Sequence, residues 1–347
     1  MPASSSSARV PWHAVFIAAL TIGLVWLFVR NINPREAWDA TRHAHLAWIA
    51  LACIVTMQTY ALRAARWQIL LAPIGRARFG PAFRTTIIGF TASFLLPARI
   101  GEVLRPYLLA RHERLNAASA FATIIVERIL DMITVLLIFG LGIVVLGAAV
   151  STEIRSAGVV AGLAAAAAVV VLVVLAGHPE PMARLTARLT RVLPARAASI
   201  VTSFVRTFVE GLRVLRSPAH LILAFAWSIP LWLSLALGIW LTTRAFDLTL
   251  PFIGSFLVVG YLAVGVAAPT PGGAGGFHYM YKLAMTQLFG APESAAAAAA
   301  IVLHAVSFVP ITILGLFFMW QDGLTLRGLQ RMGAEARSAE APAAARE

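Results

Sequence analysis

Residues 94–131 read FLLPARIGEVLRPYLLARHERLNAASAFATIIVERILD and place charged side chains inside a chain that is otherwise mostly apolar. An ionisable side chain at membrane depth costs about 3 kcal/mol on insertion scales, so it usually faces a bundle interior and marks a pathway or binding site. Among the ionisable residues of this stretch are Arg99, Glu102, Arg105, Glu127, Arg128 and Asp131. Residues 267–277, AAPTPGGAGGF, break a second apolar run with Pro and Gly. We expect function at these two places.

The composition is that of an integral membrane protein. Of the 347 residues, 60% are apolar and 12% are charged, and the mean hydropathy is +0.82. Soluble domains have about 45–50% apolar and about 25% charged residues. The net charge of +13 would suggest nucleic acid as a partner of a soluble chain, but here it indicates membrane topology and attraction to anionic lipid headgroups.

Sequence signatures of common enzyme classes are missing from the chain. It has no glycine-rich phosphate loop, no nucleophile elbow and no Cys/His set at metal-ligand spacing, and its single cysteine, Cys53, excludes an internal disulfide. We therefore expect no catalytic residue, no metal and no cofactor, and we interpret the chain as a protein that is not an enzyme.

Apolar stretches predict an all-α polytopic fold with about six full spans and two re-entrant helical hairpins. The stretch 85–96 has only 12 residues, and residues 252–288 are interrupted at PTPGG, so these two are the predicted hairpins. Residues 117–150 exceed one bilayer crossing. Either this helix is tilted with Glu127 near its middle, or residues 132–150 span alone and the charges lie at the interface. The predicted spans are 10–29, 46–62 (with a possible extension to 71), 117–150, 159–176, 220–241 and 293–320.

The spans divide the chain into a transmembrane domain, residues 10–325, between disordered tails at 1–9 and 326–347. Most of the 28 Lys and Arg residues fall on the inner side if both termini are cytoplasmic, as the positive-inside rule requires. This arrangement indicates a multi-pass protein of the bacterial cytoplasmic membrane. A basic amphipathic region at 182–216 is predicted to lie on the cytoplasmic surface.

The topology that places most Lys and Arg residues on the inner side also predicts an inverted repeat, with halves at about 10–150 and 157–320. The second half starts from the opposite side of the membrane. Each half carries one hairpin. The sequence similarity between the halves is short: Pro97 and Gly101 in one hairpin have the same spacing as Pro271 and Gly275 in the other.

Four motifs resemble the transmembrane, flippase-like domain of lysylphosphatidylglycerol synthases and its stand-alone bacterial and archaeal relatives, over nearly the whole chain. The LPxRxGExxRP and ERxxD blocks are specific, whereas the PGG block alone is weak. The motifs are Arg63-x2-Arg66-Trp67, Leu96-Pro97-x-Arg99-x-Gly101-Glu102-x2-Arg105-Pro106, Glu127-Arg128-x2-Asp131, and Pro269-x-Pro271-Gly272-Gly273-x-Gly275.

The resemblance implies lipid handling or translocation across the bilayer. Many members of that family carry Glu shortly after the glycine block, where this chain has His278, so a carboxylate role does not carry over to that position. The soluble aminoacyl-transferase domain of the synthases is also absent from the sequence, so the family name does not imply that activity.

Phosphate binding is the first candidate role. Guanidinium groups form bidentate pairs with phosphate oxygens, and glycines at a helix start can present backbone N–H groups to an anion. We assign this role to Arg99, Arg105, Arg128, Gly272, Gly273 and Gly275. The alternatives are a structural ion-pair cluster or contact with inner-leaflet headgroups for the arginines, and close helix packing for the glycines.

Charge coupling is the second candidate role. We expect Glu102 to neighbour both Arg99 and Arg105 on a helix, because these residues are three apart. The carboxylates would position the arginines or couple transport to protons, and His278 could relay protons; the alternative is a self-satisfied structural triad or simple packing. The residues in this role are Glu102, Glu127, Asp131 and His278. A separate group, Arg63, Arg66 and Trp67, closes the second span and is interpreted as an interfacial anchor.

These assignments predict a protein that translocates or binds an anionic phospholipid or lipid-linked intermediate, with membrane lipids as partners and no nucleic acid. One alternative is an intramembrane enzyme acting on a lipid phosphate or polyprenyl carrier, with Glu127 or Asp131 as general base. Another is a non-transporting membrane partner of a separately encoded lipid synthase.

Overall fold

A computed structural model describes residues 12–96, 99–147 and 217–326, together with scattered positions within 152–167 and 328–332. All regular secondary structure in this described part is helical. The expectations for the N-terminal tail, for most of the C-terminal tail, for most of the predicted span 159–176 and for the amphipathic region 182–216 concern residues outside it, as do Pro97 and Ala98. Where the predicted C-terminal tail is described, the expectation of disorder is wrong, because Leu326, Gly328 and Leu329 are helical and Leu329 is fully buried in a cluster with Ile88, Leu104 and Met319.

Ten α-helices, numbered along the described residues, form the structure, with one short 3₁₀ turn at Pro271–Gly273. Asn33 and Asn116 start two of them, each accepting a hydrogen bond from a backbone N–H of the first turn. The helices are α1 Trp12–Val29, α2 Pro34–Arg42, α3 Leu46–Leu71, α4 Phe79–Leu95, α5 Gly101–Glu113, α6 Ala117–Leu146, α7 Pro218–Arg244, α8 Gly254–Ala267, α9 Gly276–Phe289 and α10 Glu293–Gln321.

Four of these helices, α3, α6, α7 and α10, are long and apolar enough to cross a membrane. They contain 26 to 30 residues, which corresponds to about 39–45 Å at 1.5 Å per residue. A fifth candidate combines α1 with α2, which are bent by 78° at the break between them. The long predicted helix is continuous from Ala117 to Leu146, so the charged residues belong to the same helix as its apolar second half.

Two broken helix pairs replace long helices at the two irregular stretches. In the first helix pair, α4 packs against α5; in the second helix pair, α8 packs against α9. Each contact depends on glycine at the same place in the pair. A Cβ on Gly101 would overlap the carbonyl oxygen of Gly89, and a Cβ on Gly276 would overlap that of Gly265. Gly101 and Gly276 are each the first residue of the second helix. Backbone therefore meets backbone in both pairs.

The turn between α8 and α9 requires glycine for a different reason. Gly272, Gly273 and Gly275 have φ angles of +58°, +70° and +80°, a region that other residues rarely adopt. The 3₁₀ turn and these dihedrals redirect the chain between the two helices. The PGG block therefore forms a tight backbone turn, and its conformation follows from its composition.

The packing of the four helices α3 to α6 is matched by that of the four helices α7 to α10. Helix α4 packs on α10 as α8 packs on α6, α5 packs on α6 as α9 packs on α10, and α3 packs on α4 as α7 packs on α8. If α3 to α6 are exchanged with α7 to α10 in order, α3 takes the place of α7 and α7 that of α3, so the contact between these two helices is unchanged. Consequently the two helix pairs occupy corresponding positions on either side of the α3–α7 contact.

The glycine contacts yield a stability test. Gly101→Ala and Gly276→Ala should each lower the free energy of unfolding by about 1–3 kcal/mol, the usual cost of overpacking. Unfolding of the detergent-solubilised protein, followed by circular dichroism, measures this.

Gly23→Ala is the matched control, because a Cβ on Gly23 meets no atom within 4 Å. It should leave stability unchanged or slightly raised, since Ala is the better helix former. Equal stability of all three variants would show that the helix pairs do not depend on backbone contact at glycine.

Candidate functional site

Glu127 lies at the centre of a buried ion-pair network that joins three helices. Its carboxylate is fully buried and Oε1 accepts hydrogen bonds from Arg105 of α5 and Arg128 of its own helix, both at 2.9 Å. Arg66 of α3 approaches the same oxygen at 3.4 Å. One carboxylate oxygen therefore holds three guanidinium groups from three helices.

Asp131 forms the second centre of the network, one helical turn further along α6. Arg66 donates to its Oδ1 at 2.6 Å, and Trp232 of α7 donates its indole N–H to the same oxygen at 3.0 Å. Arg63 and Arg128 each lie 3.7 Å from Oδ2. Four arginines therefore face two carboxylates, which leaves a formal charge of +2 on the network.

Aromatic side chains hold the arginines in place. The guanidinium of Arg105 lies 3.9 Å from the centre of the Trp67 ring, and Trp67 donates its indole N–H to Thr123 at 2.9 Å. Arg63 lies 5.1 Å from the centre of the Phe90 ring. These cation–π contacts stabilise charges that have little access to water.

A cavity of about 150 Å³ opens between the two helix pairs, on one side of this network. The first helix pair and α6 contribute charged residues, and the second contributes Thr270 and the backbone of the PGG turn. Arg99, which has a positive φ of 48°, donates a hydrogen bond to the carbonyl oxygen of Val266 and so bridges the two pairs. The lining includes Arg99, Glu102, Arg105, Arg128, Gly272 and Gly273, with Phe90, Phe94 and Phe308.

Two buried residues of the cavity wall carry polar atoms without a hydrogen-bond partner. Arg105 uses Nη1 for Glu127, whereas its Nε and Nη2 have no partner, and the Thr270 hydroxyl has none either. Arg105 is 3% exposed and Thr270 is 8% exposed. A buried donor without a partner is costly, and a polar ligand in the cavity can supply one. Unpartnered atoms also occur on residues of the network that do not line the cavity, namely Arg63, Arg66, Glu127 and Asp131.

A histidine pair, His278 of α9 and His304 of α10, supports the turn of the second helix pair. His304 of α10 hydrogen-bonds to the carbonyl oxygen of Gly272 at 2.9 Å and stacks on His278, with ring centres 4.5 Å apart. Phe308 stacks on the other side of His304 at 4.1 Å. His278 therefore reaches the turn through His304, and it does not line the cavity.

The predicted phosphate-binding residues come together, with one exception. Arg99, Arg105, Arg128, Gly272 and Gly273 line the same cavity, although the first three are separated by more than 130 residues from the last two. Gly275 does not line it. A Cβ there would approach Leu24 and the backbone of Val25, so Gly275 is needed for close packing against α1.

Three expectations from the sequence differ from the structure. Arg63, Arg66 and Trp67 are at most 8% exposed and belong to the ion-pair network, so they are not an anchor in contact with headgroups; their partners on α6 and α7 are remote in sequence. Arg99 precedes α5, so it shares no helix face with Glu102.

Arg105 pairs with Glu127 of the next helix rather than with Glu102. The triad of α6 is not self-satisfied, because it needs Arg66 and Arg105 from other helices.

Sequence reasoning missed the contribution of α7 and Thr270. Ser228, which accepts a hydrogen bond from Arg66 at 2.8 Å, and Trp232 lie four residues apart and so share one face of α7. Their spacing is a weak signal, because neither side chain is charged. Thr270 lies between two prolines in the PTPGG stretch, and its hydroxyl is the one polar side-chain group there, which is a signal that the sequence contains.

These features define a polytopic helical membrane protein with a charged site buried between two broken helix pairs. The sequence model of one protein family, the lysylphosphatidylglycerol synthase TM region, matches residues 13–315. The chain therefore belongs to this family, as the resemblance of its charged and glycine motifs implied.

Curated relatives are archaeal. The chain is 24% identical to glycosyltransferase AglD of Haloferax volcanii over 365 aligned positions, gaps included, and the alignment covers 96% of this chain but only 58% of AglD. It is 26% identical to a UPF0104 membrane protein of Methanothermobacter thermautotrophicus over 318 residues, covering 85% of this chain and 92% of that protein. A shorter match, 30% over 87 residues, joins it to UPF0104 membrane protein MJ1595 of Methanocaldococcus jannaschii.

The ion-pair network predicts a large loss of stability on removal of its central charge. Glu127→Gln should lower the free energy of unfolding by about 3–5 kcal/mol, because three guanidinium groups lose their shared partner in a buried environment. The unfolding transition in mixed detergent micelles measures the loss.

Asp247→Asn makes the same chemical change in a pair with His45, and the side chains of Asp247 and His45 are 78% and 56% exposed. It should cost less than about 1 kcal/mol, as surface pairs do. A similar loss in both variants would contradict a central role for Glu127.

Proposed function

We propose that this protein binds an anionic lipid by its phosphate in the cavity between the two helix pairs and moves it across the membrane. Arg105 and Arg128 hold the phosphate, and Arg99 with the Gly272–Gly273 backbone closes the site from the other side. The observation that carries the proposal is the unpartnered Arg105 edge in a cavity lined by both helix pairs.

The donor geometry favours phosphate. Arg105 is fixed by Glu127 through Nη1 and stacked on Trp67, which leaves Nε and Nη2 as a pair of parallel donors. This is the edge with which a guanidinium forms bidentate bonds to phosphate oxygens. The side chain of Arg128 is 42% exposed and lines the same cavity, so it can approach the ligand from a second direction.

The apolar wall favours a lipid over a water-soluble anion. Phe90, Phe94 and Phe308 line the cavity beside the arginines, and Phe94 and Phe308 have ring centres 4.3 Å apart. Such a wall suits the glycerol or first methylenes of a lipid whose phosphate contacts the arginines. Two of the helices that line the cavity, α6 and α10, have the length and composition of membrane spans.

The paired packing of the two halves supports translocation. Transporters with inverted repeats commonly place their site where broken helices of both halves meet. The cavity lies between the two broken pairs, and the hydrogen bond from Arg99 to Val266 joins them. We infer six spans with two re-entrant hairpins, both termini in the cytoplasm and residence in the bacterial cytoplasmic membrane.

The function that we propose is not enzymatic. Glu127 and Asp131, the candidate general bases, do not line the cavity, and a general base must reach the proton that it removes. The activity in the name of AglD belongs to a longer protein, of which this chain matches 58%. A separately encoded lipid-modifying enzyme is the partner that we infer, since a translocated lipid must be made or used by another protein.

Leaflet exchange in liposomes tests the proposal. Purified protein is reconstituted with a headgroup-labelled anionic lipid, and the label that becomes accessible to an external quencher is followed over time. Arg128→Gln should slow exchange by about tenfold or more, because a lost charge-assisted bond to phosphate removes about 1.5–3 kcal/mol.

Arg78→Gln is the matched control, since it removes the same charge from a surface position outside the cavity. Arg128→Gln also loses the hydrogen bond to Glu127, so its unfolding midpoint should fall, and the exchange rates are compared at a temperature at which circular dichroism shows both variants to be folded. The proposal fails if the unsubstituted protein exchanges no anionic lipid faster than empty liposomes, or if Arg128→Gln and Arg78→Gln exchange at the same rate.

A further inference from the structure

The charge around the cavity sets a requirement on its ligand. Arg63, Arg66, Arg105 and Arg128 carry four positive charges against the two of Glu127 and Asp131. Arg99 and Glu102 also line the cavity, and their formal charges cancel. The described residues at the site therefore have an excess of two positive charges. In a medium of low dielectric, such an excess favours a ligand of charge −2.

The size of the cavity sets a second requirement. Its volume of about 150 Å³ is about five times the 30 Å³ that one water molecule occupies in the liquid. Pockets for drug-sized ligands have about 300–1,000 Å³. The space is sufficient for one phosphate group with its first substituent, and because the cavity is open on one side the rest of a ligand can lie outside it.

The donors of the wall suit a terminal phosphate. The Nε–Nη2 edge of Arg105, the exposed guanidinium of Arg128 and the unpartnered hydroxyl of Thr270 come from α5, α6 and the turn after α8. The Arg105 edge can bond two oxygens, and Arg128 and Thr270 can bond the third, so a phosphate with three free oxygens uses all three groups. A phosphodiester has only two free oxygens, because its other two bear carbon substituents.

Resting on the proposed function, we infer that the ligand is a lipid with a terminal phosphomonoester, and that the site selects it over a phosphodiester lipid. The phosphomonoester supplies the charge of about −2 and three acceptor oxygens. Phe90, Phe94 and Phe308 take the apolar side of the ligand. Common glycerophospholipids with a phosphodiester carry one charge less and one free oxygen fewer at phosphate.

Two lipids with the same acyl chains separate these cases. The full-length protein in detergent is titrated by isothermal calorimetry with dioctanoyl phosphatidic acid, a phosphomonoester, and with dioctanoyl phosphatidylglycerol, a phosphodiester. At pH 7.5 we expect phosphatidic acid to bind about tenfold more tightly or better. Inorganic phosphate is the third ligand and should bind more weakly than phosphatidic acid, since it cannot occupy the aromatic wall.

The pH dependence gives a readout that belongs to the ligand. A phosphomonoester has a second pKa of about 6, so it is mainly monoanionic at pH 5, whereas a phosphodiester keeps one charge throughout. The preference for phosphatidic acid should therefore shrink between pH 7.5 and pH 5. Arg128→Gln should reduce the preference at pH 7.5, and Arg78→Gln should leave it intact.

Each contrary result has a distinct meaning. Equal affinity for the two lipids, with binding that still depends on Arg128, overturns the phosphomonoester inference and leaves lipid translocation standing. Inorganic phosphate that binds as tightly as phosphatidic acid overturns the assignment to a lipid. Binding of neither lipid overturns the inference together with the proposed site.

Discussion

The sharing of Glu127 among three arginines is the interaction on which the site depends. Arg66 comes from α3, Arg105 from α5 and Arg128 from α6, so one buried carboxylate ties three helices at a single point. Burial of unpaired ions costs several kcal/mol each, and the network must therefore form as a whole. Asp131 extends it to α7 through Trp232. Because the arginines outnumber the carboxylates, the same network that holds the helices leaves positive charge for a ligand.

Close backbone contact within the helix pairs brings this charge to the cavity. Gly89 and Gly101 allow α5 to start against α4, which sets the direction in which Arg105 leaves the helix toward α6. Gly265 and Gly276 do the same for α8 and α9, and the PGG turn between them then faces the arginines. The charged half of the site and its backbone half thus come from corresponding places in the fold.

The sequence predicted which residues come together better than it predicted which of them form ion pairs. Charged residues in an apolar chain are costly, and that alone identified Arg105, Glu127 and Asp131; the glycine-rich break identified the second half of the site. The partners of these residues were not predictable from spacing. Local i, i+3 reasoning paired Glu102 with Arg105, whereas tertiary packing pairs Arg105 with Glu127.

For the same reason Arg66 and Trp67 looked like an interfacial anchor at the end of a span. The burial that overturns this interpretation depends on α6 and α7, which are remote in sequence.

A structure of the protein in lipid nanodiscs that contain phosphatidic acid, determined by electron cryomicroscopy, tests the central claim most directly. The account predicts density for a phosphate between the two helix pairs, within hydrogen-bond distance of the Arg105 Nε–Nη2 edge and of Arg128. An empty cavity, with these donors bonded to protein groups and the headgroups bound elsewhere on the surface, would contradict it.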